Sequence, residues 1–297
     1  MTDSKHSDPF DLIVVGSGPG GYVCAIRAAQ LGLRTCLVEK DARLGGTCLN
    51  VGCIPSKALL ESSELFHAAR TRLSGHGVKL DAVELDLPAM MERKQRIVTE
   101  LTDGVAGLMK KNKVTVKHGA GALTAPHRVV VTGDGGEGEE LTGRNIVLAT
   151  GSAPVELPFL PFDGDRVVDS TGALALERVP EHLAVIGAGA VGLELGSVWC
   201  RLGARVTVVE MMPQIVPPAD TQMAKTLQRA LKQLGLDIRL RTRLTDAGVE
   251  DGRVVLSVQD AKERSEQLSC DRVLVAVGRR PYADGLGLEQ AGVDVDE

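Results

Sequence analysis

Aromatic residues are nearly absent: one Trp, two Tyr and four Phe make up 2% of the 297 residues. With 43% hydrophobic residues overall, the cores must therefore be aliphatic, built from Val, Leu, Ile and Ala. There is no excess of positive charge either. Lys and Arg together number 34 against 39 Asp and Glu, a formal net charge of −5, which argues against a nucleic-acid binder with its usual basic face. No uninterrupted apolar run approaches the roughly 20 residues that span a bilayer. The opening MTDSKHSDPF has no apolar secretory core and no Arg-rich amphipathic pattern, so the expected location is cytoplasmic, with no membrane partner. Six cysteines without a secretory signal do not make a structural disulfide framework, and no two matched C-x2-C pairs suggest zinc or another metal. One pair, Cys48 and Cys53, lies close in sequence and needs its own explanation.

What is present is a repeat. DLIVVGSGPGGYVCAIRAAQLGLRTCLVEK begins at Asp11, and HLAVIGAGAVGLELGSVWCRLGARVTVVEM begins at His182. Both run apolar strand, G-x-G-x-x-G, amphipathic helix, L-G turn, apolar strand, acid. Gly16, Gly18 and Gly21 recur as Gly187, Gly189 and Gly192, a constant offset of 171 (187 less 16), and Glu39 recurs as Glu210. A lone G-x-G-x-x-G is as often an ordinary glycine turn; a complete unit present twice in register is not an accident. In each copy the first glycine allows the tight turn, the second lets backbone approach a pyrophosphate, and the third lets helix and strand pack closely. The helix N-terminus offers N–H groups to phosphate, and the acid accepts from ribose hydroxyls. An acid there repels a 2′-phosphate, so the second unit is expected to take NAD rather than NADP. The fold class expected is α/β, with two Rossmann-like dinucleotide-binding domains, the second inserted in the first.

Between the repeats, 57–66 and 87–111 read as helices, 113–117 and 128–132 as strands, and Gly133 to Gly138 as a loop. IVLATGS, 146–152, reads as a strand returning to the first site, the proline-rich SAPVELPFLPFDGD as a linker, and RVLVAVGRRP as the matching end of the second unit. The expected division is 1–152, 153–278, and a short return segment 279–297. Cys24, Cys36, Cys200 and Cys270 fall in helix or strand patterns and read as small core residues.

The pair Cys48 and Cys53 sits in LGGTCLNVGCIPSKALL, directly after the first acid. If Cys53 opens a helix running through Lys57, the helix N-terminus favours its thiolate. Two thiols with four residues between them can close a disulfide across one irregular turn, although nearby cysteines without a role are common.

GGTCLNVGCIPSK resembles the active-site signature of the pyridine nucleotide–disulfide oxidoreductases, and its ending CIPSKALL is more similar to the dihydrolipoamide dehydrogenases than to the glutathione reductases. The resemblance extends to ATGS, GAGAVGLELGSVW and AVGRRP. It implies that Cys48 is the interchange thiol and Cys53 the thiol that contacts a flavin, with Lys57 beside the flavin and held by Glu194. It also implies an FAD site of Gly16, Gly18, Gly21, Glu39, Lys40, Gly46, Thr47, Gly121, Thr150, Gly151 and Ser152. The NAD site would comprise Gly187, Gly189, Val191, Gly192, Glu210, Leu244 and Gly278. The implied cycle is ping-pong: dihydrolipoamide, carried on lipoyl domains of 2-oxo acid dehydrogenase complexes, reduces the Cys48–Cys53 disulfide, and electrons pass by way of FAD to NAD+. A glutathione- or mercuric-reductase-like enzyme and a non-catalytic nucleotide-binding fragment are the alternatives.

Members of that family are longer, and the resemblance implies a further C-terminal domain that forms a homodimer and supplies a His–Glu pair. That domain is expected to be missing here. None of His67, His76, His118, His127 or His182 has the context of a catalytic base, and each reads as a surface or packing residue. Without such a base, interchange is expected to slow by about 10² to 10⁴ fold.

Overall fold

The computed structural model describes residues 9–133 and 135–296. The opening residues 1–8, which carried the expectation of no leader, lie outside the described residues, as does position 134 of the expected glycine-rich loop. The packing divides the chain into two units. One takes the chain up to Asn50, Val98–Ala153 and the chain from Pro281 onward; the other takes Val51–Ile97 and Pro154–Arg280.

The first unit is built on a six-stranded sheet in the order Thr115–His118, Thr35–Glu39, Phe10–Val15, Gly138–Leu148, Arg128–Thr132, Ala120–Ala125. The first four strands are parallel, with Ile13 beside Cys36 on one side and Ile146 on the other. The last two continue from Gly138–Leu148 as an antiparallel meander. A parallel strand covered on both faces must be apolar throughout, and Ile13, Val14, Leu37 and Val38 are at most 1% exposed. Helix Pro19–Gln30 has proline in its first turn and buries Gly21, Ala25 and Ala28 at helical spacing. Phe10, Ile13, Val15, Cys36 and Val38 pack with Leu123, Val129, Val131 and Leu141 of the meander.

The second unit has a five-stranded parallel sheet, ordered Asp237–Arg239, Arg205–Val209, His182–Ile186, Arg272–Val275, Val167–Val168. An antiparallel ribbon of Arg243–Glu250, Arg253–Gln259 and Ser265–Cys270 accompanies it. Helix Ala190–Leu202 is buried along most of its length and ends in Gly203 at φ 113, the left-handed cap that only glycine adopts without strain. Its Trp199 is fully buried, and the indole N–H donates to the Ala173 carbonyl at 3.0 Å. The rest of this core is aliphatic, as the composition requires.

Both sheets carry the doubly wound dinucleotide-binding arrangement, and the segment bearing the second is inserted within the chain of the first. Several element bounds differ from the sequence reading. The helix expected at 57–66 spans Cys53–Thr71. The strand expected at 146–152 is Gly138–Leu148, and it ends where its neighbour ends: Ala149 N–H donates to the Val15 carbonyl, and the chain turns through Gly151 at φ 73. The ribbon 243–270 and helix Thr221–Leu234 had no expectation attached. Of the segment read as a linker, Leu160 is buried in the second unit's core, and Asp163 accepts N–H bonds from Asp165 and Val167.

Candidate active site

In the first unit the strand Phe10–Val15 ends in a turn that only glycine can make. Gly16 has φ 100, and a Cβ there would lie 2.4 Å from the Ala149 carbonyl oxygen; one on Gly21 would lie 1.8 Å from the Gly16 carbonyl oxygen. Gly18 caps helix Pro19–Gln30 with no side-chain hydrogen bond, so no side chain competes for the N–H groups of the first turn.

Glu39 ends the next strand and is 5% exposed. A buried carboxylate survives only if its oxygens are paired, and here they are. Oε2 accepts from Ser17 N–H at 2.9 Å and from the Ser17 hydroxyl, and Oε1 accepts from Asp41 N–H at 2.9 Å. The Ser17 carbonyl in turn accepts from Gly45 N–H at 3.0 Å. From there the chain enters the short helix Gly46–Val51, where Thr47 is exposed and Cys48 half-buried. A Cβ on Gly46 would meet Gly18 Cα at 2.6 Å, so the two glycine segments touch backbone to backbone. Gly121 is fitted less tightly, its added Cβ lying 3.0 Å from a Val38 methyl and 3.1 Å from a Val15 methyl. The Thr150 hydroxyl donates to the Tyr282 carbonyl at 2.7 Å, and Gly151 accepts from Tyr282 N–H. The Lys40 ammonium lies 4.2 Å from the Tyr282 ring centre. Ser152 starts the short strand Ser152–Pro154.

The second unit repeats this construction with different side chains. Gly187 has φ 103, and its added Cβ would meet the Ala276 carbonyl oxygen at 2.4 Å; that of Gly192 would meet the Gly187 carbonyl oxygen at 2.3 Å. Gly189 caps helix Ala190–Leu202 without a side-chain hydrogen bond, and the space where its Cβ would be is open. Glu210, 7% exposed, accepts from Ala188 N–H at 2.7 Å and Met212 N–H at 2.8 Å. Val216 N–H donates to the Ala188 carbonyl at 2.8 Å, the counterpart of Gly45 on Ser17, and both residues have positive φ, 39 at Val216 and 108 at Gly45. Val191 is exposed on the first turn of this helix, Leu244 is half-buried at the start of the ribbon, and Gly278 has φ 146.

Also in this unit, Cys53 is exposed at the first position of helix Cys53–Thr71. One turn on, Lys57 Nζ lies 2.8 Å from both carboxylate oxygens of Glu194 on helix Ala190–Leu202. The other cysteines have a different character. Burial pushes the Cys36 and Cys270 thiols up to about 12, and burial also raises Cys200. None of these three is a nucleophile in the folded chain. His182 is a packing residue: it is 2% exposed, with Nε2 3.0 Å from the Thr207 hydroxyl and Nδ1 2.9 Å from the Ser269 carbonyl.

Sequence reasoning passed over Ser17 and Asp41, and Ala188 and Met212, the partners of the two acids, and also Gly45 and Val216, which donate to the Ser17 and Ala188 carbonyls. A signal existed for them, because all three positions keep the offset that links Glu39 to Glu210. Tyr282 carried no signal, since only the fold brings it beside Lys40 and Thr150.

Residues 10–297 match the family described as pyridine nucleotide-disulphide oxidoreductase. The chain is 47% identical over 295 residues to leghemoglobin reductase of Glycine max, covering 99% of this chain and 56% of that protein. It is 49% identical over 294 residues to dihydrolipoyl dehydrogenase of Trypanosoma brucei brucei, covering 98% and 61%. The HOCl-induced flavoprotein disulfide reductase RclA from Escherichia coli superposes with a TM-score of 0.80 at 28% identity, over 97% of this chain and 61% of that one. The chain thus spans less than two thirds of the length of the curated relatives it matches.

Proposed function

The chain belongs to the pyridine nucleotide-disulphide oxidoreductase family, and from that premise we propose that it carries the FAD, NAD and dithiol machinery of a dihydrolipoamide dehydrogenase. Residues 1–152 make the FAD-binding part, 153–278 the NAD-binding part, and 279–297 the start of the return to the first. The observation that carries the reading is the pair of glycine turns, each beside a buried acid whose two oxygens are pinned by backbone N–H groups.

The residues present fit two dinucleotides. Each turn presents an uncapped helix N-terminus to a pyrophosphate, and the open space at Gly189 is what a phosphate would fill. Gly16, Gly18, Gly21, Glu39, Lys40, Gly46, Thr47, Gly121 and the turn Thr150–Ser152 are proposed to hold FAD. Gly187, Gly189, Val191, Gly192, Glu210, Leu244 and Gly278 are proposed to hold NAD, with the Glu210 carboxylate rejecting a 2′-phosphate by like charge. The two cofactors supply the two-electron transfer that side chains cannot.

The chain's own part is thiol chemistry and positioning. A substrate thiolate attacks the sulfur of Cys48 in the Cys48–Cys53 disulfide and expels the Cys53 thiolate; the second substrate thiol then closes the product disulfide and releases Cys48. The helix N-terminus at Cys53 stabilises that thiolate. Lys57, steered by Glu194, keeps a positive charge one helical turn away. Overall, dihydrolipoamide and NAD+ give lipoamide, NADH and a proton. Lipoyl domains of 2-oxo acid dehydrogenase complexes are the proposed partners, the family's dimer and its His–Glu base would come from beyond this chain's span, and the cytoplasm is the proposed location.

The visible spectrum of the purified protein tests the reading, taken with FAD added and again after two-electron reduction. An oxidised flavin spectrum that gives way to a long-wavelength thiolate band, together with NADH outperforming NADPH as reductant, is the expected result. A protein that stays colourless after FAD is added overturns it.

A further inference from the structure

The two copies of the dinucleotide turn differ at one polar atom. Ser17 is fully buried, and its hydroxyl donates to Glu39 Oε2 while accepting from Gly45 N–H at 3.1 Å. Its counterpart Ala188 has no hydroxyl, yet its backbone makes the same two connections, N–H to Glu210 and carbonyl to Val216 N–H. The hydroxyl is therefore not needed to build the turn. It adds a second tie between the acid and the segment that leads into helix Gly46–Val51.

We propose that Ser17 is a positioning residue that links occupancy of the first dinucleotide site to the mobility of the helix carrying Cys48. A ribose hydroxyl bound to Glu39 fixes that carboxylate. The Ser17 hydroxyl shares Oε2 with the Ser17 N–H, so fixing Glu39 fixes the hydroxyl. The hydroxyl oxygen and the Ser17 carbonyl together hold Gly45 N–H. Gly45, at φ 108, is the residue before the helix, and Leu49 N–H closes back onto its carbonyl at 3.4 Å. An ordered carboxylate thus orders the first turn of the Cys48 helix, and the effect is reciprocal. A hydrogen bond to a charged group is among the stronger ones, so one hydroxyl suffices to carry it.

The inference rests on the first unit being a dinucleotide site, and the test separates the two. The probe is ADP, which supplies the ribose and pyrophosphate without a redox-active ring. Binding is measured by titration calorimetry, and the rate of Cys48 alkylation by iodoacetamide is followed by peptide mass spectrometry on the reduced full chain, with an added small-molecule thiol as internal reference. Saturating ADP is expected to slow Cys48 alkylation about fivefold, within the usual range of such coupling. In Ser17→Ala, ADP is expected still to bind, about tenfold more weakly, as the loss of one charge-assisted hydrogen bond implies. Its effect on Cys48 should fall below about twofold. Thermal unfolding of the variant without ADP checks that the turn is intact. Equal slowing in the variant, or no slowing in the unaltered chain with ADP bound, overturns the role of Ser17. Failure of ADP to bind the unaltered chain at all overturns the dinucleotide reading as well.

Discussion

Lys57 and Glu194 lie 137 residues apart in sequence, and the ammonium of one sits 2.8 Å from both carboxylate oxygens of the other. The lysine side chain is 59% exposed and the glutamate 34%, so the pair contributes at most about 1 kcal/mol to stability. A contact so open adds little to stability, and the role proposed for it is to aim Lys57. Glu194→Gln should shift the denaturation midpoint only slightly, by about 1 kcal/mol or less. NADH-dependent disulfide reduction by the cofactor-loaded chain should fall by about tenfold or more, the size expected when a positioned charge is lost near chemistry. Equal losses in both would mean the pair is merely structural.

Gly187 and Gly189 stand two residues apart and answer opposite questions. Gly187→Ala puts a Cβ 2.4 Å from the Ala276 carbonyl oxygen at φ 103, and should cost at least ~3 kcal/mol of stability. Gly189→Ala meets only open space at φ −74, and should leave thermal unfolding nearly unchanged. The second substitution should nevertheless weaken NADH binding, read by fluorescence titration, because the new methyl occupies the space proposed for phosphate. Normal NADH affinity in Gly189→Ala would remove the pyrophosphate from that place.

Glu210 is expected to decide between NADH and NADPH. Glu210→Gln keeps an acceptor for only one of the N–H groups of Ala188 and Met212, which the two carboxylate oxygens serve separately, and removes the negative charge. The ratio of NADH to NADPH efficiency should drop by about tenfold or more, as loss of like-charge repulsion and of one charge-assisted bond implies. An unchanged ratio would place discrimination elsewhere.

His182 makes stability depend on pH. Its pKa is held below the ordinary 6.5, first by burial and then by the neighbouring Arg205 and Arg253; the Ser269 carbonyl and Asp271 act against this. The folded chain therefore resists protonating a group that the unfolded chain protonates freely. The stability this contributes is fully present above about pH 6.5 and is lost as the pH falls from there toward the lower folded value. Urea unfolding at pH 8 and pH 5.5 should show a drop that is smaller in His182→Gln. The same drop in both proteins would assign it to other groups.

Much of this was legible because the relevant physics is local. A glycine turn, an apolar strand and an acid twenty-odd residues on are all set by neighbours in sequence, and each was present twice. The helix Leu87–Lys111 was legible from its spacing alone. The ribbon 243–270 was not read: its middle strand Arg253–Gln259 alternates cleanly, but the flanking strands Arg243–Glu250 and Ser265–Cys270 are mostly exposed and polar, and pairing with the middle strand defines them. The ion pair of Lys57 with Glu194 could be expected only from family resemblance, since nothing local to either residue points to the other. The partners of Glu39 and Glu210 leave their trace only in the repeat: backbone N–H groups belong to every residue, so the shared offset of the two units, and not residue type, points to them.

In each acid-clamped turn both carboxylate oxygens are hydrogen-bonded within the chain itself, and only the first-turn N–H groups of the helix are left uncapped. A dinucleotide arriving at either therefore meets a seat whose shape has been settled by folding. What remains to be ordered on arrival is confined to the carboxylate and the helix turn tied to it, so recognition should be quick, tight for its contact area, and almost silent in the circular dichroism of the backbone.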